Sequence, residues 1–276
     1  MASPASIVKL PSRGVPAAQV EEPPSQGGGS YQPFLPYWAV LENDFFQVLY
    51  SWVFRLWVLV MVAAGTGFLL YRVGVYKVTG VVQHASHFLA DLTQWTVLVS
   101  VALVAVLAAS SIAGERGSLA DSVLSRGISR FQYYLGKWHG RLLSVLATHL
   151  ALGLIGLTAA KMFLHEDIHL VGGLAALGIS AAMLAVVVSL GVMVSAMIVN
   201  SFAAIAVLWV LLYGGGMLLS SLPVGTPSPD WALQQLPYVL KGQFHLEVLH
   251  RVVGWSLGIS IGSAFIGMTY FSRRDM

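Results

Sequence analysis

The chain has 276 residues, of which 57% are hydrophobic and 10% charged, against roughly 45–50% and about 25% in soluble globular proteins. With 12 acidic residues in that length and a mean hydropathy of +0.75, there is too little charge to cover a water-facing surface, so a soluble fold is excluded and lipid is the solvent for most of the chain. The absence of cysteine removes disulfides, thiolate metal sites and thiol catalysis, and the net charge of +3 is scattered as membrane loops require, with no nucleic-acid partner implied.

Residues 1–35 are rich in Pro, Gly, Ser and Ala, with Glu21-Glu22-Pro23-Pro24 and Gly27-Gly28-Gly29. Such a segment cannot bury enough apolar surface to offset its ordering entropy and reads as a disordered cytoplasmic tail, without the apolar core and cleavage site of a signal peptide. Over 36–50, Trp38, Leu41, Phe45, Val48 and Leu49 recur at helical spacing, with Trp52 continuing the series, while Glu42, Asn43, Asp44 and Gln47 take the other side. This predicts an amphipathic helix lying at the membrane interface.

Residues 51–276 hold six stretches long and apolar enough to span a bilayer: Ser51 to Tyr71, Thr93 to Ala113, Arg141 to Leu164, Leu170 to Val199, Phe202 to Leu222 and Val252 to Phe271. The fold class is therefore all-α, a polytopic membrane protein. The fourth stretch would measure about 45 Å at ~1.5 Å per residue, so it must tilt, protrude, or break near Gly178 or Gly191. Placing both termini in the cytoplasm puts ten basic residues inside (Lys9, Arg13, Arg55, Arg116, Arg126, Arg130, Lys137, Arg141, Arg273 and Arg274) and five outside (Arg72, Lys77, Lys161, Lys241 and Arg251). That excess fixes the expected orientation. The largest inside loop is then 114–140, and the largest outside segment is 223–251, with a helix-like run from Trp231 to His250. No internal repeat supports an inverted-repeat carrier.

The inside loop reads Glu115-Arg116-Gly117-Ser118-Leu119-Ala120-Asp121-Ser122-Val123-Leu124-Ser125-Arg126-Gly127-Ile128-Ser129-Arg130, followed by Leu135-Gly136-Lys137. Ser118 with Asp121 three residues on predicts a capped helix that ends at Gly127 and presents Leu119, Val123 and Leu124 on one face. On these residues the helix either inserts into a groove of a soluble partner or lies beneath the headgroups. Glu115, Gly117, Ser118, Leu119, Leu124, Ser125, Gly127, Ile128, Ser129, Arg130, Gly136 and Lys137 resemble the loop pattern of the permease subunits of ABC type-2 exporters, and the likeness in span number and overall layout extends over about 38–276. The resemblance implies a multi-pass subunit of a bacterial inner membrane, paired with a second permease copy and with separate P-loop ATPase subunits that hold the ATP and magnesium. An extracytoplasmic accessory protein is a further possible partner. Glu115, Arg116, Gly117, Ser118, Leu119, Asp121, Leu124, Ser125, Arg126, Ile128, Ser129, Arg130 and Lys137 are the expected ATPase-coupling residues. Between the fourth and fifth spans this chain offers only Asn200 and Ser201 where many members of the family carry a second charged contact. No Gly-x-x-x-x-Gly-Lys-[Ser/Thr] occurs, so no nucleotide cradle and no catalytic residue is expected in this chain.

Two other readings stay open at this point. One is a non-transporting anchor or assembly subunit; the other is a membrane zinc protease, because His165-Glu166-Asp167-Ile168-His169 fits H-E-x-x-H. His165, His169, His245 and Glu247 are the weak metal candidates among outside segments that also hold His84, His87 and His250. His149 is the one titratable residue expected near mid-membrane, as a hydrogen-bonded packing residue. Gly65, Gly67, Gly153, Gly156, Gly172, Gly173, Gly214 to Gly216, Gly258, Gly262 and Gly267 are expected to let helices approach. The aromatics Trp52, Trp57, Tyr71, Trp95, Tyr133, Tyr134, Trp138, Trp209, Tyr213 and Trp255 are expected mostly in interfacial belts.

Overall fold

The computed structural model describes residues 34–115, 128–165, 167–221, 228–243 and 246–273. These form eight helices: α1 (Leu35–Tyr50), α2 (Trp52–Thr79), α3 (Ala85–Ala109), α4 (Arg130–Phe163), α5 (Leu170–Met197), α6 (Ser201–Ser221), α7 (Pro229–Leu240) and α8 (Leu246–Arg273). Six of them, α2 to α6 and α8, are long and apolar enough to cross a membrane. No strand occurs among the described residues, only an isolated bridge between His84 and His165. The chain is an all-α multi-pass membrane protein, as its composition requires.

Helix ends follow local chemistry more than hydropathy. Ser51 breaks α1 from α2 and caps α2, its hydroxyl accepting from the Phe54 amide. Beyond the apolar run α2 continues past Tyr71 to Thr79, closing on Gly80 in the left-handed conformation at φ 69°, which glycine adopts without a Cβ penalty. α4 starts well before Arg141 because Ser129 and Gln132 form a reciprocal capping box. α5 runs unbroken through Gly178 and Gly191. The expected run from Trp231 to His250 is instead divided: α7 stops at Leu240, Gly242 takes φ 75°, and α8 begins at Leu246.

Helix α5 is the hub, buried along most of its length, whereas α6 is the least buried span. Small residues explain how closely the hub is approached. A side chain at Gly153 would collide with Leu177, one at Gly173 with Leu157, one at Gly172 with the Val239 carbonyl of α7, and one at Gly191 with Ala108 of α3. Helices without a hydrophobic driving force between them gain their cohesion from this kind of close packing. The expectation fails for Gly67, Gly214, Gly215, Gly216, Gly258 and Gly262, whose Cβ positions meet nothing within 4 Å. The aromatic belt also needs correction. Trp57 is fully buried and donates to Ser100 at 2.9 Å, Tyr134 is fully buried, and Trp138 donates to Ser189 at 2.9 Å, while Trp52, Tyr71, Trp95 and Trp255 are exposed. His149 packs as expected, with Nε2 2.7 Å from the Ser180 hydroxyl.

Candidate functional site

The capping box at Ser129 sets the rotational phase of α4, and that phase puts Tyr133, Lys137 and Arg141 on one stripe at i, i+4 and i+8. Gly136 and Gly140 flank the stripe, and α1 lies against them: a Cβ at Gly136 would meet Val40, and one at Gly140 would meet Asp44 and the Leu41 carbonyl. On α1 the packed stripe is Val40, Asp44 and Val48. Asp44, read from the sequence as part of the polar outer side of the interfacial helix, is fully buried instead. The reason is its partners on α4.

Lys137, whose side chain is 2% exposed, donates from Nζ to Asp44 Oδ1 at 2.9 Å, to Gln47 Oε1 at 3.3 Å and to Glu115 Oε1. Arg141 donates from Nε to Asp44 Oδ2 at 3.1 Å and from Nη1 to the Leu107 carbonyl. Tyr133 donates its hydroxyl to Glu115 Oε2 at 2.7 Å. Two carboxylates thus face two cations, and every charge has an opposite partner, the condition on which buried ions are tolerated. Burial pushes the Glu115 carboxyl up, but the Lys137 charge and hydrogen bonds from Lys137, Tyr133 and Gln47 outweigh it and hold it below the usual glutamate range. A depressed carboxyl contributes stability that is present at neutral pH and lost only as pH falls through that lowered value.

The turn that presents Glu115 is fixed independently. Ser195 of α5 accepts from the amides of Ile112 and Ala113 at 2.8 and 2.9 Å. The cluster therefore joins α1, the end of α3, α4 and, through Ser195, α5, at the point where the chain leaves for residues 116–127. Glu115 is bonded directly to Lys137 and Tyr133, and through Lys137 it is linked to Asp44 of α1.

Of the expected coupling residues, the structure brings Glu115 and Lys137 together, Lys137 buried and Glu115 partly buried. Ile128 packs partly buried against the adjoining core, Ser129 is the cap, and Arg130 is half-buried at the first position of α4. Arg116, Gly117, Ser118, Leu119, Asp121, Leu124, Ser125 and Arg126 lie outside the described residues. Sequence reasoning missed Asp44, Gln47, Tyr133 and Arg141. The available signal was a carboxylate in the helix that leads into the membrane, together with two cations four residues apart at the start of a span.

At the opposite end of the bundle the link between α4 and α5 is not helical. His165 pairs with His84 in the bridge, and residues 167–169 are extended coil. The H-E-x-x-H spacing therefore does not stack His165 and His169 on one helical face, which removes the geometric basis of the protease reading. Glu166 and His245 lie outside the described residues, and Glu247 is exposed in an ion pair with Arg251 at 2.8 Å. No group of three or more His, Asp or Glu able to hold a metal occurs among the described residues. Asp167 instead ties α4 to α3, accepting from the Ser86 amide at 2.8 Å and from the Ser86 hydroxyl. Burial raises its carboxyl, but the Ser86 hydrogen bonds, His84 and Lys241 more than offset this and keep it low.

No protein-family model matches the chain, and no curated protein matches it.

Proposed function

We propose that this chain is the membrane-spanning permease subunit of an ATP-driven transporter of the ABC type-2 exporter kind, in which a separate P-loop ATPase supplies the hydrolysis. The observation that carries the reading is the cluster of Asp44, Glu115, Lys137 and Arg141 at the root of the loop. A loop that receives force from a soluble motor must end on something stiff. Here Glu115 is clamped within hydrogen-bonding reach of Lys137 and Tyr133, so a push on residues 116–127 is delivered to α1 and α4 together. Glu115 and Lys137 act in this reading as the inner terminus of the lever, and Leu119 and Leu124 as its contact with the ATPase. A pair of such permeases, lying in a bacterial inner membrane with both termini cytoplasmic, would then switch the access of a substrate or pull on an extracytoplasmic partner.

The test is a mild-detergent purification of the tagged full chain from its native membrane, with mass spectrometry of what stays bound. A near-stoichiometric P-loop ATPase is expected, and Leu119→Asp is expected to release it while the chain elutes as a single symmetric peak. Reproducible recovery of intact chain with no ATPase overturns the reading and favours an anchor subunit.

A further inference from the structure

A cleft of about 550 Å³ opens between α6 and α8, with α3 and α5 as its floor and the first turns of α7 at its end. That volume lies within the range of pockets for drug-sized molecules. The cleft is amphipathic along its length. Toward mid-bundle it is walled by Val97, Leu184, Val187 and Leu211, whereas Ser228 and Asp230 stand at the end where α7 begins. The glycines that pack against nothing acquire a reason here, because Gly215 and Gly216 keep the α6 wall thin and the cleft open.

Its polar groups all have one bias. Asp230 is the only acidic or basic side chain from Asp, Glu, His, Lys or Arg in the described lining, with Tyr213 and Trp255 as half-exposed aromatics. The neighbouring cations are elsewhere: Lys241 and Arg251 are not in the lining, and Arg251 is engaged by Glu247. Ser256 also lines the cleft and is 8% exposed. One carboxylate, a serine hydroxyl and two aromatic side chains beside an apolar chamber are complementary to a positive charge carried on an apolar body. We infer that this cleft is a binding site for a hydrophobic organic cation, its apolar part among α3, α5 and α6 and its charge toward Asp230. The inference concerns binding by this chain alone and does not rest on the transport reading.

The probe is radiolabelled tetraphenylphosphonium, titrated onto the purified full chain in lipid nanodiscs with empty discs subtracted and no nucleotide present. Saturable binding of about one equivalent is expected. Triphenylphosphine oxide, a neutral molecule of similar bulk, is expected to displace it only at far higher concentration. Asp230→Asn should weaken binding about fivefold, the worth of a partly solvated ion pair, and Asp230→Glu should restore it. Gly216→Phe should abolish binding without disturbing the fold, since its Cβ enters open space. Asp91→Asn, which removes a carboxylate paired with Arg72 at the same end of the bundle but outside the cleft, should leave affinity unchanged. Absence of saturable binding overturns the inference. So does displacement by triphenylphosphine oxide as potent as that by unlabelled tetraphenylphosphonium, or wild-type affinity in both Asp230→Asn and Gly216→Phe.

Discussion

Asp44 has both carboxylate oxygens engaged, one by Lys137 and one by Arg141, with no exposure to solvent. Neutralising it leaves two buried cations with one carboxylate among them, Glu115, which is bonded to Lys137, while Arg141 loses its ion-pair partner. Removing one member of a buried ion pair costs about 3–5 kcal/mol, because the survivor stays desolvated and uncompensated. Asp44→Asn is therefore expected to lower the thermal unfolding midpoint of the detergent-purified chain sharply. Adding Lys137→Met, which restores charge balance, should recover part of the loss as a positive coupling in the double-mutant cycle. An Asp44→Asn protein within about 1 kcal/mol of wild type would show that the cluster is solvated and cannot serve as a stiff root for the loop. The pairing of Asp44 was illegible from periodicity for a physical reason. In a membrane protein the apolar face of a helix meets lipid as readily as core, so a carboxylate on the polar side of a helical wheel can point at the protein interior.

At the scale of elements, the six spans were legible because length and hydropathy alone decide them, whereas the start of α4 at the Ser129 and Gln132 capping box was missed because the apolar run begins only near Arg141. What periodicity could not supply was which helix nests on which. α5 is apolar on all sides, so nothing in its pattern announces that it is the hub, and Gly136 with Gly140 looks no different from Gly258 with Gly262 although only the first pair receives a helix. The loop helix expected over 117–127 lies outside the described residues. The glycine notch on α4 makes a direct prediction about α1. Gly140→Leu would place a side chain where Asp44 and the Leu41 carbonyl now sit, and overpacking of this kind costs about 1–3 kcal/mol. The chain has no cysteine, so a single Val48→Cys reports on α1 docking, Val48 being 1% exposed. Its maleimide labelling in folded protein should be slow, and about tenfold to a hundredfold faster with Gly140→Leu added. Unchanged labelling would mean that α1 is held by something other than the notch and the ion cluster.

For the whole molecule, the six apolar helices constrain where the connections must lie. If α2 to α6 and α8 each cross once, the α2–α3 connection and the α5–α6 connection fall on opposite faces of the membrane. Val81 and Asn200 sit in those connections and are both exposed, and Asn200 caps α6 by accepting from the Phe202 amide at 2.9 Å. In the orientation proposed above, the loop that contains Arg116, Arg126 and Arg130 is cytoplasmic, and Asn200 lies on the same side. On that proposal the ion cluster stands at the cytoplasmic boundary, and α7, with the end of the cleft that it closes, lies toward the other side. In sealed right-side-out vesicles a membrane-impermeant maleimide should label Val81→Cys, whereas Asn200→Cys should react only after the vesicles are permeabilised. Labelling of both from outside would break the six-span count. Labelling of Asn200→Cys alone would invert the protein, put the loop on the side without ATP, and end the permease reading while leaving the cation-binding cleft to stand on its own test.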